Sequence, residues 1–179
     1  MSVVVYTIDP AHSSAHFSVR HMMISNVKGE FTKLSGTVTF DRDNPAASQV
    51  EAIIEVASLH TRDEQRDAHL KSPDFLDAEK FPDIRFVSKS VERNGHDEYQ
   101  AKGDMTIHGV THEVTLQVEG PTAEVKDPWG NIRAGATAMA KINRKDFGLV
   151  WNVALETGGV LVGEEVKINL EVELTRHPA

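Results

Sequence analysis

Nine histidines are the residues of this chain best suited to chemistry, and three crowd the N-terminal stretch Thr7-Ile-Asp-Pro-Ala-His-Ser-Ser-Ala-His-Phe-Ser-Val-Arg-His21. Histidines so close together suggest a metal site. A zinc ion needs three or four donors, each at about 2.0–2.1 Å. On an extended strand, rising about 3.3 Å per residue, His12 and His16 would stand about 13 Å apart. His16 and His21 differ in parity and would point to opposite faces. The strand signature His-x-His is absent. His108 and His112 flank a turn and could approach one another, but a pair is not a full ligand set. The chain has no cysteine, which removes disulfides, thiolate sites and Cys nucleophiles. It has no Gly-x-Ser-x-Gly elbow, phosphate loop or dinucleotide fingerprint. We therefore assign no catalytic residue, no metal and no cofactor.

The elements that carry these residues are strands. Apolar residues alternate with polar ones along 14–21, 36–40, 50–56, 99–107, 112–119 and 166–174. Such alternation marks half-buried antiparallel strands. Asp43-Asn44-Pro45, Asn94-Gly95, His108-Gly109 and Asp127-Pro128-Trp129-Gly130 punctuate them as turns. A short loop at Gly109 is expected to set Ile107 opposite His112 and Met105 opposite Val114. Residues 61–81 break the period. Thr61-Arg-Asp-Glu64 reads as a capping box, and Ser72-Pro73 as the start of a second short helix through Leu76. The reading is all-β, with about eight antiparallel strands and two short helices between two of them. With 179 residues and no linker, one domain over 1–179 is expected.

Residue size bears on the interior. Ala134, Ala136, Ala138 and Ala140 share one face of a strand, while the other carries Arg133, Thr137, Met139 and Lys141. Small inward side chains leave space. That space is either closed by packing or occupied by an apolar ligand. Outside this interior, Arg66 and His69 sit in a polar helix that is either an ordinary solvated face or a rim for a polar head. Phe147, Leu149, Val150 and Trp151 close one end of the core or line an entrance.

A net charge of −8 argues against nucleic acid. No apolar run reaches the ~20 residues of a membrane span. The first residues lack a basic region followed by an apolar one, so a cytoplasmic location is the expectation.

The ordered series Ile8-Asp-Pro-Ala-His-Ser13, Phe17-x-Val-x-His21 and Val27-x-Gly-x-Phe31 resembles the YceI-like family of lipocalin-like polyisoprenoid-binding proteins. The likeness continues through Arg66-Asp-x-His-Leu70, Phe81-Pro-x-Ile-x-Phe86, Gly103-Asp-Met-Thr-Ile-His-Gly-Val-Thr111, Arg144-Lys-Asp-Phe-Gly148 and Val162-Gly-Glu-Glu-Val166. It implies an extended eight-stranded antiparallel barrel whose lumen holds a long-chain isoprenoid or another amphiphilic lipid, and it implies a homodimer. On that basis Phe17, Val19, Phe40, Ile54, Phe86, Met105, Ala136, Ala138 and Trp151 are the expected lining. His12, Arg66 and His69 are candidates for polar contacts. The expected function is non-catalytic binding, storage or transport. The alternative is an enzyme acting on an isoprenoid or quinone-type lipid in the same lumen.

Overall fold

The computed structural model describes residues 3–156 and 158–178. Its strands are β1 (Val3–Ile8), β2 (Ser14–His21), β3 (Ser25–Phe31), β4 (Leu34–Asp41), β5 (Gln49–Glu55) and β6 (Leu59–His60). One helix, α1 (Glu64–Lys71), follows, and then β7 (Asp83–Gly95), β8 (Glu98–Ile107), β9 (Val110–Glu119), β10 (Val125–Lys126), β11 (Ile132–Asn143) and β12 (Val162–Arg176). Every pairing is antiparallel.

Eight strands close a ring in the order β1-β4-β5-β7-β8-β9-β11-β12, with β12 returning to β1. Closure removes the free sheet edge. The long β12 does this by serving three neighbours. It pairs with β11 from Glu165↔Asn143 to Thr175↔Arg133, with β1 near its C-terminus, and with β2 from Val162↔His21, past a bulge, to Glu171↔Ser14. The β2–β3 hairpin and β6 extend the wall beyond the ring at one end.

The Asp9–Ser13 segment is what divides β1 from β2. It forms a 3-10 turn over Pro10–His12 in which the Asp9 side chain caps the Ala11 N–H at 2.9 Å. Glu173 of β12 faces this insertion and loses neither backbone bond. Its carbonyl accepts from the Asp9 N–H at 2.8 Å, and its N–H donates to Ser13 Oγ at 3.0 Å.

Three local expectations are corrected. The β8–β9 hairpin has a two-residue turn at His108-Gly109, with φ of 56° and 73°. Two consecutive left-handed residues form the tight turn whose twist suits a hairpin. The register is therefore Ile107↔Val110 and Met105↔His112, two residues from the expected one and on the same faces. The cap of α1 is Asp63, which accepts from the Arg66 N–H at 3.1 Å; Thr61 instead bonds Asp67. Ser72 ends α1 by donating its N–H to the His69 carbonyl, and 73–76 is a turn rather than a second helix.

Candidate functional site: an apolar lumen

Inward side chains of the ring enclose a cavity of about 690 Å³. The lining is dominated by aliphatic and aromatic residues contributed by every strand of the ring. On β12 the stripe Val166, Ile168, Leu170, Val172, Leu174 faces it, a run of about 26 Å at 3.3 Å per residue. Leu174 is buried, whereas the four before it keep partial accessibility because they face open lumen. Ala136 and Ala138 on β11 lie beside Val172 and Leu170 in register, and their short side chains leave the space that larger residues would fill.

Phe40 and Tyr99 line the lumen at the end away from α1. Their rings meet edge to face at 5.2 Å, and both are buried. Tyr6 lies beneath the same end, buried, and donates to Glu124 at 2.8 Å. Burial and that carboxylate push its phenol up to about 12.

The near end is the mouth. Arg20 and His21 of β2, Asp63 and Gln65 before and on α1, and Arg66 and His69 of α1 ring it with polar groups. His69 packs edge to face on Phe75 at 5.1 Å and on Trp151 at 4.7 Å, so three rings tie α1 to the segment after β11. Its Nε2 bonds Asp74 at 2.9 Å. Arg66 is held by Thr61, through Nε to the hydroxyl at 2.9 Å and Nη2 to the carbonyl at 2.5 Å.

One further mouth residue escaped the sequence reading as a site residue. Arg144 is only 3% exposed and lines the cavity. Its guanidinium binds four carbonyls: Leu149 at 2.6 Å, Gly163 at 2.7 Å, Trp151 at 3.0 Å and Val162 at 3.2 Å. It therefore staples residues 149–151 to the start of β12. Burial pulls its pKa down, partly opposed by Glu164. The motif Arg144-Lys-Asp-Phe-Gly148 marked the position, but only the fold reveals the converging carbonyls.

The expected lining residues Phe17, Val19, Phe40, Ile54, Phe86, Met105, Ala136, Ala138 and Trp151 all lie on the cavity wall, as do Arg66 and His69. His12 does not. It lies on the outside of the barrel, bonding Asp9 at 2.9 Å and approaching Glu173 at 3.2 Å. These three could in principle hold a cation, since their donor atoms lie within 4.8 Å of one another. Arg133 already serves the group as cation, at 2.8 Å from Asp9 and 3.8 Å from Glu173. Hydrogen bonding to Asp9 and the charge of Glu173 raise the His12 pKa. His16 has other partners, Ser14 at 2.8 Å and Glu30 at 3.9 Å. The crowded histidines of the sequence thus do not converge on one site: His12 and His16 have separate partners outside the lumen, and His21 lines its mouth. Among the described residues no helix is long and apolar enough to cross a membrane.

Several known proteins share this architecture. The YceI-like domain profile matches residues 6–174. A UPF0312 protein of Staphylococcus aureus strain MSSA476 is 38% identical over 170 residues, covering 95% of this chain and 96% of its own. Among solved structures, BcnA of Burkholderia cenocepacia superposes with a TM-score of 0.76 at 25% identity, covering 93% of this chain and 98% of its own. The YCEI protein of Campylobacter jejuni does so with a TM-score of 0.73 at 30% identity, over 89% and 90% of the two chains. A polyisoprenoid-binding domain of Saccharophagus degradans shares the fold with a TM-score of 0.68 at 13% identity, over 95% and 97%. With a closed eight-stranded barrel, an apolar lumen and a profile match that runs from β1 into β12, the chain belongs to the YceI-like family.

Proposed function

We propose that this barrel binds a long-chain isoprenoid or similar amphiphilic lipid in its lumen and releases it unchanged, as a store or carrier. The observation that carries the reading is the lumen itself: a deep, mainly apolar cavity of about 690 Å³ whose charged side chains, Arg20, Asp63, Arg66 and Arg144, stand at one mouth. That polarity suits a molecule with a long apolar tail and a small polar head. The shared fold with a polyisoprenoid-binding domain supports the same reading.

Magnitudes favour a long chain. Burying one methylene-sized group gains about 0.8 kcal/mol, so a five-carbon isoprene unit gains about 4 kcal/mol. Association costs about 4–15 kcal/mol in lost freedom. One unit barely offsets that cost, whereas about four exceed it. Hydrophobic burial alone then suffices for capture. Arg66, His69 and Trp151 would meet the head, and Phe17, Val19, Phe40, Ile54, Phe86, Met105, Ala136 and Ala138 the tail.

Native mass spectrometry of the purified protein, with extraction of whatever lipid it carries, tests this. The expected result is one long-chain lipid per lumen, recovered chemically intact after incubation. Protein that takes up no added polyprenol overturns the reading, and turnover of the lipid replaces the carrier with an enzyme.

A further inference from the structure

The β2–β3 hairpin turns through Met22 and Met23, both in the left-handed region with φ of 52° and 64°. Tight hairpin turns of this kind favour Asn and Gly, because a side chain is strained there. Here the strained positions carry long apolar side chains, and they point outward. Met22, Met23 and Ile24 are 43%, 53% and 75% exposed. A second apolar segment stands beside them. Val150 and Val153 are 62% and 47% exposed. The two segments are joined through backbone bonds, Met22 N–H to the Leu161 carbonyl at 2.7 Å and Leu161 N–H to the Val153 carbonyl at 2.9 Å. Arg20 steadies the turn by donating to the Met23 carbonyl at 3.1 Å.

This tip adjoins the lumen. His21, Trp151, Leu161 and Val162, the chain neighbours and partners of the exposed residues, all line the cavity at its mouth. The sequence is almost free of charge here: residues 22–27 carry none, and 149–163 carry only Glu156.

We propose that the Met22–Ile24 turn and the Val150–Val153 segment insert together into a lipid bilayer and set the lumen mouth against it, so that cargo exchanges without crossing water. This rests on the lumen carrying a lipid. Three features select a bilayer over a protein partner. The tip is a projecting turn rather than a groove, which a deformable surface accepts. Five exposed side chains are far fewer than the 20–30 residues per side of a stable protein interface. The tip also continues directly into a cavity whose proposed occupant resides in membranes. With a net charge of −8 on the chain, docking must be hydrophobic and not electrostatic.

Flotation with phosphatidylcholine vesicles tests the proposal. The triple variant Met22→Asn, Met23→Gly, Ile24→Thr removes the apolar tip, and its turn residues suit the backbone, so the hairpin should fold at least as well. The wild type is expected to float with the vesicles, with little change between low and high salt. The variant should lose about tenfold or more in vesicle partitioning and in the rate of polyprenol uptake from vesicles. Its thermal midpoint and its equilibrium affinity for polyprenol delivered from dilute ethanol should be unchanged. Trp129→Ser, which removes the 82%-exposed indole of the turn before β11, should change nothing.

Wild type that does not float, a triple variant that floats equally well, or loss of flotation in the Trp129 variant overturns the proposal. So does sedimentation showing that the tip mediates self-association. Vesicle binding without polyprenol uptake would instead refute the lipid-carrier reading, because flotation is scored separately from uptake.

Discussion

Replacing Ala138 by Phe asks directly whether the lumen is a measured space for a chain. Ala138 stands on β11 between Val118 of β9 and Leu170 of β12, and all three face the cavity. A phenyl ring there projects into open volume, since both neighbours are only partly buried. A cavity that admits benzene measures about 150 Å³, so the ring removes about a fifth of the 690 Å³. A chain that fills the wild-type lumen must then leave about one isoprene unit in water. At about 0.8 kcal/mol per carbon this costs about 4 kcal/mol, or roughly a thousandfold in Kd. A chain one unit shorter should bind almost as before. The assay is a titration of polyprenols of increasing length against wild type and Ala138→Phe, with thermal melts in parallel. Ala134→Phe is the contrast. Ala134 is 5% exposed and does not line the cavity, so its ring overpacks the wall and should cost about 1–3 kcal/mol of stability. Equal affinity for every chain length in a folded Ala138→Phe protein would refute the lumen as the binding site.

Arg144→Met should destabilise the protein by about 3–5 kcal/mol, measured by urea unfolding, because four carbonyls at the mouth lose their shared donor. Arg144→Lys should recover only part of this, since an ammonium cannot span carbonyls on both segments. Stability should also fall in alkali. The Tyr6 phenol is held near 12 in the fold against 10.0 unfolded, so the unfolded chain loses its proton first. The contribution is complete below pH 10 and is lost as pH rises to about 12, about 3 kcal/mol in all. Urea midpoints of wild type and Tyr6→Phe between pH 9 and 12 check this, and the variant should show the smaller decline.

Much of the barrel was legible in the chain. Period-2 alternation identifies strands because successive side chains of a strand must face opposite ways, and burial of one face makes that visible. The alanine face of β11 indicated where space would open at Ala136 and Ala138, while Ala134 and Ala140 are buried away from the cavity. Local signals were less decisive where two satisfied the same rule. Thr61 and Asp63 are both good caps, and the choice fell to Asp63 once Thr61 paired with Asp67 and Arg66. His108-Gly109 permitted several loop lengths, and the shortest one closed.

By itself, then, the sequence determined which residues face inward, because side-chain parity and polarity are local properties. It also determined the family, because an ordered series of motifs survives without any knowledge of contacts. Only the tertiary structure decided what those residues enclose. Ring closure through β12 and the edge-to-face contact of Phe40 on Tyr99 join positions far apart in the chain, and the clamp of Arg144 draws carbonyls from two separate segments onto one guanidinium. The N-terminal histidines show the same division. Their types suggested one site, but the turn over Pro10–His12 carries His12 outside to Asp9 and Glu173, while His21 remains on β2 at the mouth of the lumen.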